Sequence, residues 1–306
     1  MDLNGLYVPL ITPFTGSGEL ASDALEGLAH GVLDEGAAGV VALGTTGEPA
    51  TLTEAERHRV LDICARVCRE RSATLIAGAG SNDTAASARA MAALTRWPEV
   101  SAALTVVPYY TRPSEPGVVA HFTELAAASP VPLVIYNIPQ RTGVEIGWRA
   151  LRRLAELPGV AGMKQAVGGV DADTVMLLAE RPDGFAVLCG DDMFASPLLA
   201  LGASGAIMAS AHVCTSAFAA MIAAWRAGAV GPARALGHRL TGVAAALFAE
   251  PNPTVIKAVL HAQGRIPSPA VRLPLLAASA GSVSAAQEAL AGFAAFSGDE
   301  AAASAA

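Results

Sequence analysis

The sequence predicts an α/β chain that closes as a (β/α)8 TIM barrel with a small C-terminal helical extension. Three observations carry that expectation. Short apolar runs alternate with longer segments of helical period, at a repeat of roughly thirty residues. The runs are apolar on both faces, as strands of a parallel sheet covered by helices must be. Eight such runs fall within about the first 230 residues, which suits a closed barrel better than an open sheet.

The first run, Leu6 to Ile11, precedes a helical pattern over Ala21 to Asp34. Gly39 to Leu43 leads to a second pattern, Thr53 to Arg69, which opens with the capping-box spacing of Thr53 and Glu56. Thr74 to Ala77 precedes Thr84 to Leu94, and Ala102 to Val107 precedes Pro116 to Ala128. Pro132 to Tyr136, Val160 to Met163, Phe185 to Cys189 and Ser204 to Met208 complete the eight. Met193 to Trp225 contains no Asp, Glu, Lys or Arg and is long enough to suggest a membrane span. Ser196-Pro197, Gly202, Gly205 and His212 interrupt it, so two buried helices flanking a buried strand are expected instead. Beyond Gly231 only helical patterns remain, around Pro232 to Ala249, Pro253 to Gln263 and Val283 to Phe293. The expected organisation is therefore a barrel over 1–230, a helical region over 231–296 and an Ala/Ser-rich, unstructured tail over 297–306.

With 53% hydrophobic and 15% charged residues, the 306-residue chain can bury far more apolar surface than a disordered segment could. A net charge of -7 without clustered Lys or Arg offers no footprint to nucleic acid or anionic membrane, which leaves small molecules as partners. Met1-Asp2-Leu3-Asn4 lacks a basic stretch followed by an apolar one, so a cytoplasmic protein is expected. Cys64, Cys68, Cys189 and Cys214 form no Cys-x-x-Cys pair and read as reduced core residues. The six histidines are scattered and no His-Glu-x-x-His occurs, so no metal is expected. Neither Gly78-Ala79-Gly80-Ser81-Asn82 nor Gly202-Ala203-Ser204-Gly205 has the context of a dinucleotide loop, so no cofactor is expected either.

Barrel enzymes carry their chemistry at the carboxyl ends of the strands. Polar residues stand there after strand two (Gly44-Thr45-Thr46-Gly47-Glu48), four (Tyr109-Tyr110), five (Tyr136-Asn137), six (Lys164) and seven (Gly190-Asp191-Asp192). Of twenty basic residues only Lys164 and Lys257 are lysine. Lys164 follows Val160-Ala161-Gly162-Met163 directly, so its stem should emerge from the barrel, and burial favours the uncharged amine that attacks carbonyls. A salt-bridged lysine at a strand end is the other reading. Lys257 lies in a helical pattern and is expected at a surface or interface. Tyr136, one unit earlier, would bring a phenol beside the amine to relay protons, or would simply pack its ring at the rim. Thr45 and Thr46 between glycines offer hydroxyls and backbone N–H groups to a carboxylate, although an ordinary turn would look the same.

In this order, several of these motifs form a pattern. Together with Pro108-Tyr109-Tyr110-x-Arg112-Pro113, Tyr136-Asn137-Ile138-Pro139-x-Arg141-Thr142-Gly143, Gly162-Met163-Lys164, Glu250-Pro251-Asn252-Pro253 and Arg272-Leu273-Pro274, the chain from about Gly5 to Leu276 resembles the dihydrodipicolinate synthase family. That family lies within the pyruvate-dependent class I aldolases, which include N-acetylneuraminate lyase. The resemblance implies that Lys164 forms a Schiff base with pyruvate and that Thr46 holds the pyruvate carboxylate. It implies a proton relay of Tyr136 and Thr45, completed by Tyr110 from a neighbouring subunit of a homo-oligomer, a dimer of dimers. Arg141 would receive the carboxylate of the aldehyde, L-aspartate 4-semialdehyde, and Gly190 and Ile207 would line the pyruvate pocket.

The chain departs from the family after the lysine, where Gln165-Ala166-Val167-Gly168 replaces the common Glu-Ala-Ser/Thr-Gly. This reads as a lost carboxylate and hydroxyl near the site. Lysine-inhibited members bind the inhibitor at a subunit interface; Asn82 and Tyr109 match that pattern, whereas Ala86 stands where a glutamate is expected and Arg57 where an imidazole is, with His58 one residue on. Other readings are another pyruvate-dependent aldolase or keto-deoxy sugar acid dehydratase, and a non-catalytic keto-acid-binding paralogue.

Overall fold

The structure, a computed structural model, describes residues 3–304. Eight strands, β1 (Gly5–Pro9), β2 (Gly39–Ala42), β3 (Thr74–Gly78), β4 (Val100–Val106), β5 (Leu133–Asn137), β6 (Val160–Gln165), β7 (Ala186–Cys189) and β8 (Gly205–Ile207), pair in sequence order as a closed barrel. Every ladder is parallel. Around them run α1 (Ser22–Asp34), α2 (Glu54–Arg71), α3 (Thr84–Ala92), α4 (Glu115–Ala128), the short α5 (Pro139–Thr142), α6 (Trp148–Ala155), α7 (Ala172–Ala179), α8 (Ala195–Ala200) and α9 (Ala211–Arg226).

Strand alternation divides the core in two. Val41, Ile76, Leu104, Val134, Leu188 and Ile207 point inward and fill the barrel. Their strand neighbours, including Val40, Leu75, Ile135, Met163 and Val187, pack outward against the helices. The seam between β8 and β1 pairs Gly5 with Gly205 and Tyr7 with Ile207. A Cβ at position 205 would stand 2.2 Å from the Gly5 carbonyl oxygen, so only glycine permits this approach. His212, fully buried at the start of α9, locks the same seam. Its Nε2 accepts from the Ile11 N–H at 3.1 Å, which requires the proton on Nδ1, donated to the Ala209 carbonyl at 2.8 Å.

Helix starts follow local chemistry. Thr53 and Glu56 form the expected capping box on α2, while Asp83, Ser114 and Asp171 cap α3, α4 and α7. Helix α6 has no side-chain cap of its own. Glu115 from α4 accepts from the Gly147 N–H at 2.6 Å, and Asp173 from α7 from the Trp148 N–H at 2.8 Å. The charge-free stretch forms α8, β8 and α9 as expected, and among the described residues no helix is long and apolar enough to cross a membrane. All four cysteines are buried and unpaired, and burial pushes their thiols up, that of Cys214 to about 11. Among the described residues no cluster of metal-ligating side chains occurs.

Three helices follow the barrel, α10 (Val230–Leu247), α11 (Thr254–Ala262) and α12 (Ala280–Ser304). The last extends into the segment read from composition as an unstructured tail; its alanines are the strongest helix formers. The final two residues lie outside the described ones.

Candidate active site

Strand register assembles the centre of the site. In the β5–β6 ladder Tyr136 pairs with Lys164, and alternation points both side chains into the barrel at its carboxyl end. Lys164 is 7% exposed, and its Nζ lies 4.4 Å from the centroid of the Tyr136 ring. Gly190 faces the same lysine from the end of β7: a Cβ there would stand 2.8 Å from Lys164 Cε, so the absent side chain makes room for the Lys164 side chain. Ile207 closes this end of the interior from β8.

Two carboxylates flank the lysine. Burial pushes Asp192 up to about 6 against the opposing pull of the Ser210 N–H, which it accepts at 2.6 Å, and of Lys164. Asp191 is also raised by burial, opposed by the Gly168 N–H at 2.7 Å and by Lys164.

Over this centre opens a cavity of about 840 Å³, lined among others by Thr45, Tyr136, Arg141 and Asn252. Thr45–Gly47 is a short 3-10 turn after β2. Thr46 is buried, and its hydroxyl accepts from Asn252 Nδ2 at 2.9 Å. Arg141 reaches the cavity from α5, which starts on Pro139 just after β5. Tyr110 is not brought to this site by its own chain. It is 87% exposed, held outward with φ at +69°.

The expectation for Lys257 is overturned. The side chain is 0% exposed, and its Nζ donates to Glu48 Oε1 at 2.5 Å. The helical period of α11 shows which residues share a face, but not that a carboxylate 209 residues away waits beneath that face. Burial lowers the Lys257 ammonium to about 8, with Glu48 opposing the shift and Arg272 adding to it. Sequence reasoning also gave Asn252 and Glu48 no role of their own, although both stand inside motifs it singled out. The isolation of Lys257 as one of two lysines was the available signal.

The Dihydrodipicolinate synthetase family profile matches residues 2–292. The 4-hydroxy-tetrahydrodipicolinate synthase of Syntrophus aciditrophicus (strain SB) is 40% identical over 275 residues, covering 89% of this chain and 91% of that one. This chain belongs to the dihydrodipicolinate synthetase family. Among solved structures, the chloride-inhibited dihydrodipicolinate synthase from Acinetobacter baumannii complexed with pyruvate superposes with a TM-score of 0.91 at 32% identity, covering 95% of this chain and 99% of that one. A monomeric dihydrodipicolinate synthase variant superposes with a TM-score of 0.90 at 28% identity, covering 95% and 97%.

Within this family the departure at Gln165 has a structural answer. Gln165 alternates with Lys164 and points out of the barrel, where its Oε1 accepts from Asn137 Nδ2 at 3.0 Å and its Nε2 donates to Thr174 Oγ1 at 2.9 Å. The neutral amide thus joins β5 to α7 behind the site, and no carboxylate is missing from the face that holds Lys164.

Proposed function

We propose that this protein is a lyase of the class I aldolase type, a 4-hydroxy-tetrahydrodipicolinate synthase that condenses pyruvate with L-aspartate 4-semialdehyde in the diaminopimelate route to lysine. The observation that carries the reading is Lys164 beside Tyr136, both facing inward at the barrel mouth under a cavity edged by Thr45 and Arg141. The names of the relatives supply the product, the Acinetobacter baumannii complex supplies pyruvate, and the family resemblance of the motifs implies the semialdehyde.

The pyruvate carboxylate sits on the Thr45–Thr46 turn, which sets its carbonyl carbon before the Lys164 amine. Nζ attacks that carbon, and the carbinolamine loses its oxygen as water while Tyr136 and Thr45 relay the protons. The protonated imine withdraws electrons from the adjacent methyl, which gives up a proton to form an enamine. The imine itself is the electron sink, so the chemistry calls for no metal or organic cofactor. The enamine carbon attacks the aldehyde carbonyl, whose own carboxylate Arg141 holds by charge-assisted hydrogen bonds. The amine of the acceptor then adds to the imine carbon and displaces Lys164, closing the ring and freeing the enzyme.

Tyr110, exposed on its own chain, completes the relay of a neighbouring copy in a homo-oligomer, a dimer of dimers. Four unpaired buried cysteines suit a cytoplasmic enzyme. Reduction with borohydride in the presence of pyruvate tests the central step: a reduced adduct is expected on Lys164 and none on Lys257. An unmodified Lys164 in a preparation that turns over both substrates refutes the mechanism.

A further inference from the structure

Only two lysines occur in the chain, and the mechanism uses one. The other, Lys257, lies outside the barrel in α11, yet its ammonium is directed at the end of the turn that carries Thr45 and Thr46. Besides Glu48 Oε1, Nζ donates to the Ala270 carbonyl at 2.8 Å and rests 4.1 Å from the Phe14 ring centroid. The second Glu48 oxygen accepts from the Arg272 N–H at 2.9 Å. The Arg272 guanidinium covers Phe14 at 4.3 Å, donates to the Thr51 carbonyl and pairs with both oxygens of Glu56. Phe14 is thus bracketed by two cations, and Glu48 is fixed by two segments of the C-terminal region.

The turn needs such fixing. Glu48 sits in the left-handed region, with φ at 53° and ψ at 41°, which a residue with a side chain leaves unless its surroundings hold it. Four contacts hold it: Lys257 and the Arg272 N–H on Glu48, Asn252 on the Thr46 hydroxyl, and Thr12 Oγ1 donating to the Gly47 carbonyl at 2.7 Å. Apolar groups of matching volume commonly serve stability as well as a buried ion pair does, so packing alone does not call for a lysine here.

We infer that Lys257 is a positioning residue for the 2-oxo acid: through Glu48 it holds the Thr45–Thr46 turn where its hydroxyls and N–H groups meet the pyruvate carboxylate. The helical region after the barrel is then part of the binding apparatus, acting from behind the turn without touching substrate. The inference rests on the reading of Lys164 and Thr46 proposed above.

The test uses the full chain with Lys257→Met, and with the paired change Glu48→Gln with Lys257→Met, which leaves no buried charge unmatched. Three quantities are read: the pyruvate concentration that half-saturates borohydride trapping on Lys164, the aldehyde KM, and the melting temperature. Both proteins should need about tenfold more pyruvate, the loss of one hydrogen bond to a carboxylate, with the aldehyde KM unchanged. The paired variant should melt nearer the wild type than the single one while its pyruvate requirement stays raised. If the paired variant regains wild-type pyruvate saturation together with its stability, or if both constants rise equally, the pair is structural and the inference is overturned. If Lys257→Met does not fold, the paired variant decides alone. Wild-type enzyme that forms no pyruvate adduct would instead remove the underlying reading of Lys164.

Discussion

Replacing Gly190 by alanine should disable the proposed nucleophile, Lys164, without removing it. The added Cβ would lie 2.8 Å from Lys164 Cε, 2.9 Å from Lys164 Cγ and 2.9 Å from Ala166 Cβ. Ordinary carbon contacts lie at about 3.5–4.0 Å, so each pair has to open by about 0.6 Å or more. The Cε end can swing aside, but Cγ and the Ala166 Cβ are tied to the chain of β6 and its exit. The lysine has to leave its place over the Tyr136 ring, and β6 has to shift away from β7. Overpacking of this kind costs about 1–3 kcal/mol of stability, and a reacting group displaced by about 1 Å loses on the order of a hundredfold in rate. The rate of reduced-adduct formation with pyruvate, followed by mass spectrometry alongside calorimetric melting, measures both effects. Gly27→Ala, on the exposed side of α1 with no atom within 4 Å of the new Cβ, is the control and should leave the trapping rate unchanged. A Gly190→Ala enzyme that traps pyruvate at the wild-type rate would refute the placement of Lys164 in the reacting geometry.

Arg141→Ala should lower kcat/KM for the semialdehyde by about ten- to a hundredfold, the loss of a charge-assisted carboxylate contact, while pyruvate trapping persists. Loss of trapping in a folded variant would reassign the arginine to pyruvate. Mixed oligomers of Tyr110→Phe and Lys164→Ala chains should regain activity that neither parent has, and a fully active monomer in sedimentation at assay concentration contradicts the shared site. Millimolar lysine should inhibit weakly. Asn82 does reach the Tyr109 carbonyl at 3.4 Å, but Ala86 brings no acid; of the two carboxylates that edge the cavity, Glu48 is paired with Lys257, and Glu54 is 88% exposed beside His58 at 3.9 Å, where such pairing contributes about 1 kcal/mol or less. Sub-millimolar inhibition abolished by changing Asn82 or Tyr109 would show otherwise. Burial lowers His212 to about 4, with its bond to the Ala209 carbonyl opposing the shift and Arg265 adding to it. With the folded value below the unfolded one, its stabilisation is complete above pH of about 6.5 and is lost as pH falls toward 4. The stability advantage of wild type over His212→Gln should therefore shrink by about 3 kcal/mol across that window. A constant difference would mean that the imidazole titrates as if exposed.

The barrel was legible because both-faced apolar runs at a steady spacing have few other ways to bury themselves. Lys164 was legible for a related reason: a lone cation immediately after an apolar strand has to point somewhere useful or be matched. Lys257 was misread because its matching carboxylate comes from the opposite end of the chain, and helical period carries no information about that. The same limit applied to Gln165. Its position next to Lys164 suggested a place in the site, and only strand alternation, which turns adjacent residues to opposite faces, removes it from there. Tyr110 marks a further boundary, since its own chain holds it 87% exposed, and the role proposed for it in a neighbouring copy is one that a single chain does not display.

The seam that joins β8 to β1 sets a condition on how the protein comes into being. The Gly5–Gly205 and Tyr7–Ile207 pairs and the His212 contact to Ile11 link the opening of the chain to residues about two hundred positions later. While the ribosome is still extending the chain, β1 has β2 on one flank and nothing on the other, so its free edge and the inward row of apolar side chains stay open to other molecules. Closure waits for β8 and the start of α9 to emerge, and so falls late in synthesis. Substitutions at Gly205 or His212 should therefore depress soluble yield from cells more than they depress the melting temperature of whatever folded protein is recovered.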